Sequence, residues 1–467
     1  MSKGLTDTRV LVTGATGYVG GELVPPLLDA GADVRVLARD ARGLDDRPWR
    51  AEVDVVEGDA TQPADLDRAL EGIDTAYYLL HSMDGGGHLG DRDRDMAQTF
   101  IAAAERAGVR RIVYLGGMHP GGALSEHLAS RAEVGQVFLD GKVPAVVLQA
   151  AVILGAGSAS FQMLRYLTGR LPVMIAPKWL RNRLQPIAIE DVLHYLIGAA
   201  TLDGDVNRAF DIGGPEILTY QELIQRYAKV TGRRKRAIAL LPVLTPELAS
   251  VWVGAVTPVE STVARPLVGS LVHEVVAGES DIRDLLPRPG GLVGIDDALR
   301  SAERASPTDT GPRNLLITTV ATTAAAALGS WATDTGSRWY KSIDKPAWQP
   351  PALTFPVVWT ALYGTIAGTS ASTLTTHDRN DERTEAGRYR AALLTNLALN
   401  AGWSLTFFRG KNPAAATVVS AALAASSADL ARRAGNTKPS RGATLAPYAA
   451  WCTFATALSA SIARRNR

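Results

Sequence analysis

From residue 314 onward the chain carries five runs, 314–332, 353–374, 391–408, 412–428 and 442–463, that are almost free of charge. Each is about 17 to 22 residues long, the length that crosses the hydrocarbon of a bilayer as a helix. In that medium every backbone N–H and C=O must be satisfied within the segment, which a helix achieves and an irregular loop does not. The runs therefore predict an all-α bundle of five transmembrane helices. They are rich in Ala, Thr and Ser, which suits close helix packing in lipid and also suits the buried helices of a soluble bundle. Arg and Lys confined to the joints favour the membrane.

The joints also carry an orientation. Arg379, Arg383, Arg388, Arg390, Arg432, Arg433, Lys438 and Arg441 fall in the second and fourth joints, on the side of the residues that precede the bundle. The positive-inside tendency then leaves the preceding domain in the cytoplasm, within a multi-pass protein of a bacterial-type inner membrane. The margin is narrowed by Arg338, Lys341, Lys345, Arg409, Lys411, Arg464, Arg465 and Arg467 opposite. Over the whole chain 49 Lys and Arg stand against 47 Asp and Glu, so nothing in the charge calls for nucleic acid. The single cysteine, Cys452, excludes an intrachain disulfide framework and a cysteine metal cage. The first seven residues have no apolar core, so no cleavable signal peptide is expected.

The first 300 or so residues alternate short apolar strands with amphipathic stretches, the pattern of an α/β doubly wound sheet. Arg9-Val10-Leu11-Val12 runs into Thr13-Gly14-Ala15-Thr16-Gly17-Tyr18-Val19-Gly20-Gly21 and then a helical stretch. This is the setting of a dinucleotide fingerprint: Gly14 for the tight turn, Gly17 for the approach of a pyrophosphate, Gly20 for helix-on-sheet packing. The second strand ends at Arg39, where an acid would bind a ribose 2′-hydroxyl and an arginine suits a 2′-phosphate. NADP(H) is therefore expected over NAD, the alternative being a solvated arginine. Asp59 and Ala60, after the third strand, are expected beside the adenine. Arg233-Arg234-Lys235-Arg236 is a basic run that reads as a solvated turn or as a contact with a membrane surface.

Residues 8–300 resemble the extended and atypical branches of the short-chain dehydrogenase/reductase superfamily. The resemblance is carried by Tyr77-Tyr78-Leu79-Leu80-His81-Ser82-Met83, Tyr114-Leu115-Gly116-Gly117, Gly155-Ala156-Gly157-Ser158-Ala159-Ser160-Phe161 and Gln185-Pro186-Ile187-Ala188-Ile189-Glu190-Asp191-Val192. It implies a cofactor site that includes Leu80 and His81, and a small lobe from about residue 207 to 302 after a core of 8–206. Working members of the superfamily carry Tyr-x-x-x-Lys after the fifth strand, the tyrosine as general acid/base and the lysine on the nicotinamide ribose. Here His127 and Arg131 stand at that spacing. They are the catalytic candidates, with His127 as a proton shuttle near neutral pH; otherwise His127 merely begins a helix capped by Ser125 and the domain binds nucleotide without turnover.

Residues 303–313 read as a linker, and 314–467 as the membrane domain. Three helices of that domain carry aromatic or polar stripes: Phe355, Trp359 and Tyr363; Asn396, Asn400, Trp403 and Phe407; Tyr448, Trp451 and Ala455. Asparagine in lipid is costly unless it faces the protein interior or a ligand, so the stripes are expected to converge on a cavity. The loop after the first run adds Trp339-Tyr340, Lys345-Pro346, Trp348, Pro350 and Pro351. Together with Leu399-Asn400, Trp403-Ser404, Phe407-Phe408, Pro447-Tyr448, Trp451 and Phe454-Ala455, these resemble the translocator protein/tryptophan-rich sensory protein (TspO) family. The resemblance implies a pocket for flat hydrophobic ligands such as porphyrin, haem, sterols or isoprenoids, lined by Trp339, Trp348, Phe355, Trp359, Tyr363, Asn396, Asn400, Trp403, Phe407, Tyr448 and Trp451. It also implies Lys345 as a partner for propionates, and a homodimer. The chain departs from the family at Leu458-Ser459, where Leu-Asn is common. A membrane protein that senses or handles such a ligand and binds NADP(H) is the first functional expectation. An NADPH-dependent oxidoreductase fed by the bundle is the second, and an anchored scaffold for a partner the third.

Overall fold

The computed structural model describes residues 4–80, 89–119, 125–241, 253, 256–257, 259, 261–380 and 382–466. They form two compact units, Met1–Ser306 and Pro307–Arg467.

The first unit is built on a seven-stranded parallel sheet: β1 (Arg9–Thr13), β2 (Asp33–Ala38), β3 (Asp54–Glu57), β4 (Thr75–Tyr78), β5 (Arg111–Gly117), β6 (Ala145–Ala150) and β7 (Arg208–Ile212). Their spatial order is β7-β6-β5-β4-β1-β2-β3, with Val10 opposite Val34 on one side of β1 and opposite Thr75 on the other. The chain reverses direction across the sheet beside β1, at the switch point where such folds bind ligands. Central β5 is buried at every position, as expected of a strand covered on both faces. Helices α1 (Tyr18–Asp29) and α6 (Ile189–Ala200) cover one face through Leu23, Val24, Leu27, Tyr195 and Leu196. Helices α2 (Pro63–Leu70), α3 (Leu89–Ala107) and α4 (Glu126–Asp140) cover the other through Leu66, Phe100 and Phe138.

Beyond the sheet, α5 (Ala159–Arg170), α7 (Tyr220–Val230) and α8 (Ile295–Ala305) pack into a second core around Phe161, Tyr227 and Leu299. Helix α7 starts on a capping box, in which the Thr219 hydroxyl accepts the Glu222 N–H and the Glu222 carboxylate accepts the Thr219 N–H. The expectation that the small lobe begins near residue 207 needs correction, because Arg208–Ile212 is an edge strand of the main sheet, parallel to β6. Buried Phe210 and Ile212 alternate into the core that α6 covers, so the strand is held there by its own apolar face.

The second unit contains α9 (Gly311–Ala332), α10 (Thr354–Arg379), α11 (Arg383–Ser404), α12 (Pro413–Thr437) and α13 (Pro439–Arg465). A π-helical turn, Leu405–Arg409, ends α11, and Asn412 caps α12 by accepting the Ala415 N–H. All five helices run beyond the uncharged segments read from the sequence at one end or both, taking in charged residues there. Asp429 pairs with Arg432 and Arg433, and Asp378 with Arg390, at those ends. The linker is shorter than expected: α8 ends at Ala305 and α9 begins at Gly311. Among the described residues two helices, Gly311–Ala332 and Pro413–Thr437, are long and apolar enough to cross a membrane.

Candidate functional site

In the first unit the turn between β1 and α1 is shaped for close backbone approach. Gly14 has φ +72°, and a side chain there would meet the Leu79 carbonyl oxygen at 2.5 Å. A side chain at Gly20 would strike the Gly14 carbonyl, so the helix can lie on the turn only without one. Buried Thr13 fastens the turn to β4: its hydroxyl donates to the Tyr77 carbonyl at 2.9 Å and accepts the Leu79 N–H at 3.1 Å. At the start of α1 Gly17 offers no side-chain cap, so the amides of the first turn are left for an anion. The glycine cradle and these uncapped amides fit the pyrophosphate of a nicotinamide dinucleotide, whose nicotinamide ring would supply hydride chemistry when bound.

Tyr18, expected in the cofactor site, begins α1 directly after the glycine turn. Its ring packs against Gly155 and Gly157, where no side chain would fit. Burial pushes its hydroxyl up to about 12. Ala15 is buried, while Thr16 is exposed and Val19 half-buried. Arg39 is exposed at the end of β2. Asp59 accepts the Thr61 N–H at 2.9 Å; that bond, with the Arg39 charge, holds its carboxyl below the usual range. Ala60 is buried and Leu80 half-buried, and His81 lies outside the described residues. A residue that the sequence did not single out is Arg47, whose guanidinium lies 2.9 Å from a side chain built on Gly21 and donates to the Thr16 carbonyl at 3.0 Å. No motif marks it, since it reaches the turn only through the fold.

Near the carboxyl ends of β5 and β6 lies a cavity of about 50 Å³, lined by His127, Arg131, Met118, Met163 and Leu271 among others. The structure therefore brings the two catalytic candidates together. Ser125 caps α4 by accepting the Leu128 N–H at 3.3 Å, which sets His127 on the first turn. Burial, and then the charge of Arg131, pushes the His127 imidazolium down to about 4. Near neutral pH the ring is then mostly uncharged, with one N–H donor and one acceptor nitrogen. The Nε of Arg131 is buried without a hydrogen-bond partner. His119, just after β5, is a further candidate missed in the sequence; its Nδ1 is buried and unpartnered, and burial holds its charge down.

The second unit holds a cavity of about 560 Å³ walled by aromatic rings. Phe355, Trp359, Tyr363, Asn400, Trp403, Phe407 and Trp451 line it, as do Tyr340, Gln349, Phe408 and Ser459, which were not among the expected residues. Trp403 and Phe407 stack at 5.6 Å, and the Trp403 indole N–H donates to the Ser459 hydroxyl at 3.1 Å. Ser459 thus makes a polar contact at the point where the chain departs from the family pattern. Four expected residues lie off the wall. Asn396 is buried between helices, donating to Ser427 at 3.0 Å and accepting the Tyr448 hydroxyl at 2.8 Å, so both serve helix packing. Trp339 packs edge-on against Phe407, and half-exposed Trp348 against Phe454. An i, i+4 stripe identified the helix face, but not which members of it the neighbouring helices cover.

Residues 317–465 match the TspO/MBR family, and residues 14–143 match an NAD(P)H-binding family. The chain is 31% identical over 124 residues to the tryptophan-rich protein TspO of Bacillus cereus, covering 27% of this chain and 78% of that one. It is 32% identical over 236 residues to a (4-alkanoyl-5-oxo-2,5-dihydrofuran-3-yl)methyl phosphate reductase of Streptomyces griseus, covering 49% of this chain and 75% of that one. The fold of the first unit is similar to that of a Citrobacter triphenylmethane reductase solved with NADP(H), with a TM-score of 0.51, 18% identity, and coverage of 63% of this chain and all of that one. The chain belongs to the TspO/MBR family through its C-terminal unit, which it joins to an NAD(P)H-binding domain of the short-chain dehydrogenase/reductase type.

Proposed function

We propose that the protein is a multi-pass membrane protein that binds NADP(H) in its first unit and a flat hydrophobic ligand in its second, and that it senses or handles that ligand. The aromatic cavity of about 560 Å³ carries the reading, being within the size of small-molecule sites. Membrane insertion is supported by outward apolar residues on α9 and α12, such as Leu316 at 65%, Trp331 at 64% and Val418 at 70% exposure, and insertion of all five long helices follows the uncharged runs of the sequence. A soluble bundle would bury such side chains. Orientation rests on the dinucleotide, which belongs to the cytoplasm; the basic residues of the joints, counted individually, balance across the two sides. Preference for NADP(H) over NAD(H) is supported by exposed Arg39 and by Arg47 on the glycine turn. Reduced and oxidised nucleotide can act on the cavity only by binding two conformations of the protein unequally.

The test is to purify the full-length protein in mild detergent, identify what co-purifies by absorbance and mass spectrometry, and measure NADPH binding by fluorescence. Bound apolar ligand together with NADPH uptake is expected. Protein that takes up neither NADPH nor any flat apolar compound would end the reading. A second reading, an NADPH-dependent reductase of a hydrophobic substrate, is favoured by the apolar cavity beside His127 and Arg131. In it Arg131 holds the nicotinamide ribose, and His127 relays the proton to the substrate oxygen. NADPH oxidation that depends on an added apolar ketone would support it.

A further inference from the structure

Two short strands of the first unit, Val173–Pro177 and Ala237–Leu241, pair in parallel as a ribbon apart from the main sheet, with Ala237 opposite Val173 and Ala239 opposite Ile175. Alternation gives the ribbon two faces. Met174 and Ala176 are buried and pack with Ile238 and Leu240 into the core around Phe161 and Tyr227. Val173, Ile175 and Leu241 lie on the opposite face, at 63%, 56% and 45% exposure, beside exposed Ala237 and Ala239. A soluble surface scatters such side chains singly, whereas here they adjoin across paired strands.

The charge around this face has one sign. Arg234 and Lys235 are exposed just before the second strand, and Lys178 and Arg181 just after the first, so cations stand at both ends of the ribbon. The other two members of the basic run turn inward: Arg233 lies over the Tyr227 ring at 5.8 Å, and Arg236 is half-buried. Residues 171–181 and 231–241 contain no Asp or Glu. Among the described residues none of the four outward cations forms an ion pair. An aliphatic face ringed by free cations matches an anionic lipid surface, whose phosphates take the charges while its acyl boundary takes the side chains. Nucleic acid would call for aromatic rings on which bases stack, and this face has none.

Chain connectivity brings such a surface near. Helix α8 shares the core on which the inner face of the ribbon sits, through Ala298, Leu299 and Ala302. It ends at Ala305 and α9 begins at Gly311, and an extended chain of that length spans about 20 Å. A bilayer crossed by α9 therefore lies within that reach of the end of α8.

We propose that this ribbon, with Lys178, Arg181, Arg234 and Lys235, seats the nucleotide-binding unit on an anionic lipid leaflet. Val173, Ile175 and Leu241 enter the acyl boundary, and the four cations meet lipid phosphates. The inference rests on the reading of the second unit as membrane-inserted, and it adds a lipid contact outside that unit. It assigns the outward half of the basic run to the membrane rather than to a solvated turn.

The experiment reconstitutes full-length protein into nanodiscs of phosphatidylcholine alone or of equal parts phosphatidylcholine and phosphatidylglycerol. An apolar fluorophore is attached through Ile175→Cys, with Cys452→Ala removing the single native cysteine, and its quenching by nitroxide-labelled acyl chains is read. Strong quenching is expected in the anionic discs and several-fold weaker quenching in the neutral ones. Each cation at an anionic surface shifts the docked-to-free ratio by roughly fivefold, so the double variant Arg234→Glu, Lys235→Glu should lower that ratio by roughly twentyfold or more. Its NADPH binding should be retained. Leu316→Cys, labelled likewise on α9, is the reference and should be quenched in both discs. With the reference quenched, equal quenching at position 175 in the two kinds of disc, or none in either, would overturn the proposal even if the double variant fails to fold. Shielding of the fluorophore without acyl-chain quenching would assign the face to a protein partner and overturn it as well. If the reference is not quenched, the membrane reading itself fails, and this proposal with it.

Discussion

At the scale of single residues, the cradle at the start of α1 makes the sharpest demands. Gly14→Ala places a side chain at φ +72° against the Leu79 carbonyl. A loss of about 1–3 kcal/mol in stability and of roughly tenfold or more in NADPH affinity is expected, read from thermal melting and fluorescence titration. Arg39→Ser should weaken NADPH binding by roughly tenfold, the size of a charge-assisted bond to phosphate, and leave NADH binding unchanged; no loss for either would assign Arg39 to the solvent. His127 gives a pH signature. Its folded pKa of about 4 lies below the ordinary 6.5, so between those values the unfolded chain binds a proton that the folded chain refuses. Stability should therefore fall as pH drops through that window, and His127→Gln should make the melting temperature flatter there.

At the scale of elements, packing of α12 on α13 depends on two glycines. A side chain at Gly442 would lie 3.0 Å from both the Ala431 carbonyl oxygen and Gly435 Cα. Backbone cannot yield as a flexible side chain does, so Gly442→Val should cost about 1–3 kcal/mol, measured as a lower melting temperature in detergent. NADPH binding by the other unit should be unaffected. The same helices show where periodicity stops short. Asn396 and Asn400 share a face of α11 by spacing, yet one faces Ser427 and Tyr448 and the other the cavity. Spacing sets the angle of a side chain around its own axis; the placement of the next helix decides whether that angle meets a partner or a void.

At the scale of the whole molecule, a soluble-type nucleotide fold and an apolar bundle share one polypeptide. Washing membranes with alkaline carbonate should leave the full chain in the pellet, and detergent should release it; release by carbonate alone would contradict membrane insertion. Both units were legible beforehand because their signals are local. A glycine turn between strand and helix and five runs without charge depend on backbone sterics and hydrogen-bond satisfaction within a few residues of chain. Edge strand Arg208–Ile212, the seat of Arg47 on the glycine turn and the pairing of Asn396 with Ser427 and Tyr448 were settled by contacts distant in sequence. Burial and charge at a point are sums over everything that surrounds it, and only the tertiary structure brings those neighbours together.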